Sequence, residues 1–284
     1  MRNTQRSILY LIADSNKPLL KTSLVKLLFL VSHEIKDLGI PFYGFVPYKY
    51  GPFSFVLYQD ISKLVNEGWI NASLEINNER KGMILSETYK IGNRLGYALD
   101  SIQKNYGILS DQELLKLVYS RFPEFTYFSE IEKRLEPPSA PVAIYTIGYQ
   151  GANVDDFLNR CIQNGIKRLL DVRRNAISRV WGFARSTLSN ICKKLNIEYI
   201  HIPELGISAE KRRNLETRSN YLHLLEYYSR YILPQKQNEL VNLLDLMKEK
   251  AAALLCMEAD AAICHRRCIA DVLSQWSNLP IYHM

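Results

Sequence analysis

The side chains best suited to chemistry lie in the second half of the 284-residue chain. Glu258 and Asp171 are carboxylates in an arginine-rich setting. That setting suits general acid–base work or stabilisation of an oxocarbenium-like sugar. They are the expected catalytic pair, with His201 as a proton carrier. Arg173, Arg179 and Arg266 offer planar, bidentate donors to phosphate or carboxylate and are the expected clamps. Tyr149, Glu204, Cys264 and His265 complete the expected ligand-binding set. Cys264 is expected to open a helix beside Arg266, where backbone amides meet an anion and a thiol's pKa falls. The Cys264-to-Arg266 spacing is too tight for a C-x5-R phosphatase loop, so a small buried thiol is favoured over a nucleophile. The competing structural reading salt-bridges these arginines to Asp171, Glu204 and Glu258. Cys256, Cys264, His265 and Cys268 could supply four metal ligands. There is no C-x2-C knuckle, however, and residues 264 and 265 are expected to point different ways, so no metal and no cofactor are expected.

These residues need a scaffold, and the hydrophobic pattern supplies one. Strands are expected at 142–147, 167–172, 198–202, 252–257 and 279–283. Helices are expected at 154–164, 186–195, 219–249 with a break near Pro234, and from the Cys264 region through Trp276. Strands alternating with helices predict a parallel, doubly wound, Rossmann-like α/β sheet. Ligands of such sheets bind beyond the carboxyl ends of the strands, where all the residues of the C-terminal set fall.

Pro137, Pro138 and Pro141 mark a semi-rigid linker, 137–141, between a first domain at 1–136 and a second at 142–284. The first half reads as mainly helical. A stripe at Ile8, Leu9, Leu11 and Ile12 precedes a helix through Leu24–Val31. Phe42 to Tyr50 reads as a hairpin or extended loop, Gly51-Pro52 as a turn, and 54–67 as a helix. Strands at 69–76 and 82–85, joined by 77–81, would form a ribbon with Arg80 and Lys81 at its tip. Further helices follow at about 86–105 and 110–120. Helices followed by such a ribbon are the plan of a winged helix, which makes Arg80 and Lys81 the expected nucleic-acid contacts. A protein-binding role for this half is the alternative.

Charge sharpens the choice of partner. The chain holds 36 Lys+Arg against 29 Asp+Glu, a formal +7. Residues 167–218 alone hold 12 basic and 5 acidic residues, also +7, so the remainder is balanced. An anionic ligand near one site follows, with a nucleotide or nucleic acid as the first candidate. A hydrophobic fraction of 47% excludes disordered and collagen-like classes. No apolar run approaches the ~20 residues of a membrane span, and the first residues do not read as a signal peptide. Five scattered cysteines are too few for a disulfide framework, so a cytoplasmic setting is expected.

Two resemblances add to this. Thr146-Ile147-Gly148-Tyr149, Asp171-Val172-Arg173, Ser178-Arg179, Tyr199-x-His201-x-Pro203-Glu204-Leu205-Gly206, Leu255-Cys256-Met257-Glu258 and Cys264-His265-Arg266-x-x-Ile269-Ala270 resemble the DUF488 family in order and spacing. Tyr149 stands where histidine is commoner, Asn175 replaces a frequent proline, and Ile207 a frequent second glycine. The resemblance implies a fold and a site but no reaction. Lys26-Leu27-Leu28-Phe29-Leu30, Tyr48-Lys49-Tyr50-Gly51-Pro52-Phe53-Ser54 and Leu57-Tyr58 resemble the Panacea (SocA-like antitoxin) domain, which implies a regulatory or protein-binding module. The resulting expectation is a prokaryotic enzyme that hydrolyses a glycosidic or phosphoester bond of a nucleotide or nucleic acid. The alternative is a non-catalytic nucleotide-sensing or DNA-binding regulator of a conflict or repair system.

Overall fold

Ser23 to Val31 are buried on every side of one helix. A helix buried all round belongs at the centre of a bundle. In the computed structural model, which describes residues 1–212 and 216–284, this helix is the core of the first of two units, Met1–Glu136 and Pro137–Met284. The first unit runs α1 (Asn3–Ala13), α2 (Lys21–Glu34), β1 (Val46–Tyr48), β2 (Gly51–Phe53), α3 (Phe55–Asn66), α4 (Lys81–Thr88), α5 (Asn93–Tyr106) and α6 (Asp111–Arg121). Phe29 of α2 meets Phe45, Phe122 and Phe125 edge-on at centroid distances of 5.2, 4.9 and 4.6 Å.

The ribbon expected over 69–76 and 82–85 does not form. Ile70 and Ile76 make one isolated antiparallel bridge, and 82–85 lie inside α4. The cause is local. The Asn77 side chain accepts from the Glu79 amide and starts a short 3-10 turn over Asn78–Arg80. Lys81–Thr88 then offers Lys, Met, Leu and Glu, good helix formers, with Ile84 alone buried. Arg80 and Lys81 therefore stand at a helix start, and the Arg80 guanidinium lies 5.0 Å from the Trp69 ring centroid. The hairpin falls slightly later than expected: β1 pairs with β2 antiparallel, and Gly51-Pro52 belong to its second strand.

The second unit runs β3 (Ile144–Gly148), α7 (Val154–Gln163), β4 (Arg168–Asp171), α8 (Arg185–Lys194), β5 (Glu198–His201), α9 (Arg218–Tyr227), α10 (Gln237–Glu249), β6 (Ala252–Cys256), α11 (His265–Ser277) and β7 (Ile281–His283). Among the described residues, its five strands form one sheet in the order β5-β4-β6-β3-β7, with every pair parallel. β3, β4 and β6 are buried along their whole length, as strands covered on both faces must be. Ile144, Leu170 and Leu254 share a core with Leu240, Leu243 and Met247 of α10 and Ile269 and Leu273 of α11. Ile147, Leu169 and Leu255, of opposite parity along their strands, are buried too. This is the expected α/β architecture, a parallel sheet preceded by a mainly helical region. Among the described residues, no helix is long and apolar enough to cross a membrane.

Candidate functional site

Three parallel strands, β3, β4 and β6, end side by side, and the segments leaving them must pack closely. Two glycines make this possible. A Cβ on Gly148 would stand 1.8 Å from the Glu258 carbonyl oxygen, and one on Gly206 would stand 2.1 Å from the Arg174 amide nitrogen. Gly148 thus lets the chain after β6 lie against β3, where Tyr149 and Gln150 amides both donate to the Met257 carbonyl at 3.1 and 2.8 Å. Gly206 lets the loop after β5 close on the chain after β4.

The junction encloses a pocket of about 350 Å³ lined by Tyr149, Arg173, Arg174, Asn175, Ile177, Ile207, Ala209, Arg212, Tyr221, Met257 and Glu258. Three arginines and one carboxylate face the same space. Arg173 is held from behind. Its amide and Nε donate to Asp171 Oδ1 at 3.1 and 2.8 Å, and Nη2 donates to Oδ2 at 2.6 Å. Nη2 also reaches the Phe183 carbonyl at 3.0 Å, and Nη1 the Tyr149 hydroxyl at 3.1 Å. The Tyr149 ring stacks on Phe183 at 4.2 Å. Tyr199 donates to Asp171 Oδ2 at 2.5 Å. Burial and then the Asp171 charge push the Tyr199 hydroxyl well up in pKa. Burial works against the Arg173 charge, but Asp171 outweighs it and moves this guanidinium further up.

Asp171 is fully buried and is absent from the pocket lining. The position the structure gives it is that of a brace for Arg173. His201 is likewise outside the lining; its Nε2 lies 2.8 Å from the Arg173 carbonyl, and its buried Nδ1 has no hydrogen-bond partner among the described residues. Arg266 has no exposure at all. It donates to Thr146 Oγ1 at 3.3 Å, to the Ala259 carbonyl at 2.8 Å and to the Glu258 carbonyl. It therefore ties the chain after β6 to β3, and its guanidinium is sealed from a pocket ligand. Arg179 and Glu204 are exposed and lie outside the lining. Of the expected site residues, the pocket brings together Tyr149, Arg173 and Glu258.

Below the pocket lies a second cluster. Cys256 ends β6, Glu258 follows two residues on, Cys264 caps α11 and His265 is its first residue. One donor atom from each lies within 4.8 Å of all the others. Both sulfurs lie 3.0 Å from Glu258 Oε2, and Glu258 Oε1 pairs with Arg212. The expected divergence of residues 264 and 265 is not found. Cys264 has extended backbone, φ −125° and ψ 137°, so helical spacing does not apply to it. The lowered thiol pKa expected for Cys264 is not found either: burial pushes it well up, and the neighbouring Cys256 adds to this. Arg266, two residues on, is directed instead at the Thr146 hydroxyl and at two carbonyls. Burial works to raise the Glu258 carboxyl, but Arg212 and the two thiols outweigh it and hold it below its ordinary value.

Arg174, Arg212 and Tyr221 are among the lining residues outside the expected set. The arginines were signalled by the basic stretch 167–218, of which Arg213 lies outside the described residues. Nothing in the local sequence marks Tyr221, which α9 carries to the site from another part of the chain. No curated protein and no solved structure gives a significant match to the chain. Residues 153–273, from the start of α7 through most of α11, match the family model described as "Domain of unknown function DUF488", the family that the C-terminal motifs resemble.

Proposed function

We propose that the C-terminal unit binds a nucleotide, or a phosphate of a nucleic acid, in the pocket at the strand ends, and hydrolyses a glycosidic or phosphoester bond there. The observation that carries this reading is the convergence of Arg173, Arg174 and Arg212 on one space of about 350 Å³ with Tyr149 and Tyr221 on its walls. Planar guanidinium groups suit the equatorial oxygens of a phosphoryl group, and aromatic walls suit a base. Glu258 is the carboxylate that lines this space, and in this reading it takes a proton from the attacking water. Asp171 has a positioning role, through Arg173.

A second reading rests on a specific feature. Both Glu258 oxygens are engaged, one by Arg212 and one by two thiols, and among the described lining residues there is no second carboxylate. That favours a pocket that senses a nucleotide without turning it over. Calorimetric titration with inorganic phosphate and nucleoside monophosphates tests the shared premise. Arg174→Ala is expected to weaken binding about tenfold, as loss of one charge-assisted contact of about 1.5 kcal/mol requires. Unchanged affinity removes the pocket from the interaction. Turnover of a nucleotide substrate that vanishes in Glu258→Gln while binding persists selects the enzyme over the sensor.

A further inference from the structure

The cluster beneath the pocket carries an inference of its own. Two thiols, one imidazole and one carboxylate converge from the end of β6, the loop after it and the start of α11. All four residues are buried, with Glu258 the most exposed of them at 3%. We propose that Cys256, Cys264, His265 and Glu258 bind a thiophilic divalent cation of the zinc class.

Geometry supports this first. Zinc bonds of about 2.3 Å to sulfur and 2.0–2.2 Å to nitrogen or oxygen, arranged tetrahedrally, require ligand-to-ligand edges of about 3.3–3.8 Å. The edges here are 3.0 Å for each sulfur to Glu258 Oε2, and 3.6 and 4.0 Å for Cys256 and Cys264 Sγ to His265 Nδ1. To admit the ion the two sulfur-to-carboxylate edges must open by about 0.6 Å and the Cys264-to-imidazole edge close by about 0.4 Å, and the two remaining edges lie within 4.8 Å.

The orientation of the imidazole supports it next. His265 Nε2 lies 3.0 Å from the Val172 carbonyl, so this nitrogen carries the proton and donates. The Nδ1 lone pair then faces the two sulfurs. Metal-bound histidines are oriented in the same way, by donation from the other ring nitrogen to a carbonyl or carboxylate.

Charge closes the argument. Two thiolates, a carboxylate and a dication leave one net negative charge in a buried place. Arg212 pairs with the outer oxygen of the same carboxylate and compensates it. Soft sulfur donors select zinc-like ions over magnesium or calcium. The chain spacing is irregular, which is why the sequence holds no knuckle: the ligands come from a strand end, a loop and a helix cap.

Glu258 thereby stands between the ion and the pocket, with one oxygen toward each. The ion site shares Glu258 with the pocket, yet the other three ligands lie outside the lining and the two are separable by experiment. Full-length protein, purified under reducing conditions and passed through gel filtration, is expected to retain one zinc per chain by elemental analysis. Cobalt(II) alone, added after zinc removal, is expected to give sulfur-to-cobalt charge-transfer absorption and the intense visible bands of a tetrahedral site. Cys264→Ser and Cys256→Ser are expected to lose the charge-transfer absorption in part, and Cys268→Ser to retain it, since Cys268 reaches toward the Leu225 carbonyl and lies outside the cluster. Wild-type protein that is folded by circular dichroism, reduced, and yet takes up no stoichiometric zinc or cobalt overturns the proposal. So does a cobalt spectrum lost in Cys268→Ser and kept in Cys264→Ser. Arg174→Ala, which touches the pocket and none of the four ligands, is expected to weaken phosphate binding and leave the cobalt spectrum unchanged. Failure of phosphate binding and failure of metal binding are thus read separately.

Discussion

Asp171 shows how a residue's neighbours decide its role. A carboxylate at a strand end beside arginines invites a catalytic reading. In the fold it receives three donors from Arg173 and one from Tyr199, and no surface is left for substrate. A buried charge is tolerable only when paired and hydrogen-bonded, and this pair is both. Lys26 is the contrasting case in the N-terminal unit. It is buried in α2, and its Nζ reaches the Thr22 carbonyl at a long 3.4 Å. Burial lowers its pKa from 10.5 to about 8, outweighing the opposing charge of Asp111. A depressed lysine pKa means the folded state disfavours the proton. Below about pH 8 both folded and unfolded chains carry it, and the folded state bears the full cost of burial. Between about 8 and 10.5 the unfolded chain still holds the proton that the folded one has released, so stability rises with pH. Lys26→Met is expected to raise stability at pH 7 by about 1–3 kcal/mol and to remove that part of the alkaline gain. Urea denaturation of both proteins across this range checks it; parallel pH profiles would show that the Lys26 charge costs the fold nothing.

At the level of elements, the C-terminal sheet was legible because its signals are local and agree with one another. Buried strands such as Ala252–Cys256 are short apolar runs, and each is followed by a helix with its own amphipathic stripe. The N-terminal ribbon was misread because Trp69–Ile76 and Gly82–Leu85 have strand-like composition, while the Asn77 turn and the propensity of Lys81–Thr88 favour a helix. Site residues were legible only so far as they stood at strand ends. Which of them face the pocket depends on close backbone approaches that no single segment encodes. Arg266 is the clearest example, a predicted clamp that instead bridges the chain after β6 to β3. The same approaches make the small residues vulnerable. Gly206 meets the Arg174 backbone so closely that an added methyl has no room. A backbone neighbour cannot rotate away as a side chain can, so Gly206→Ala is expected to cost about 1–3 kcal/mol, in the range of overpacked cores. It is also expected to weaken phosphate binding, because the displaced loop carries Ile207 and Ala209 of the lining. Thermal melting with phosphate titration checks both effects; a variant with unchanged melting temperature would mean that the two loops separate freely.

For the molecule as a whole, the decisive quantity is where its charge excess lies. The formal +7 is matched by residues 167–218 alone, and the N-terminal half is close to balance. Nucleic-acid affinity follows the number of phosphates neutralised, and each contact adds to the salt dependence. If the proposed partner is a nucleic acid, the steepness must then come from the second unit. Arg174 and Arg212 line the pocket and Arg179 is exposed nearby in sequence. Three such contacts to a single strand predict a slope of about −2 in log affinity against log salt. The pair Arg174→Ala with Arg179→Ala is expected to flatten it to about −0.7. The pair Arg80→Ala with Lys81→Ala is expected to leave it unchanged, since the N-terminal half carries little net charge and the Arg80 guanidinium lies over the Trp69 ring. Fluorescence anisotropy of a labelled oligonucleotide over a salt series measures all three proteins. A slope that falls with the Arg80 and Lys81 substitutions and holds with the other pair would move the phosphate contacts to the N-terminal unit. The arginines of the pocket would then be left to a small anion.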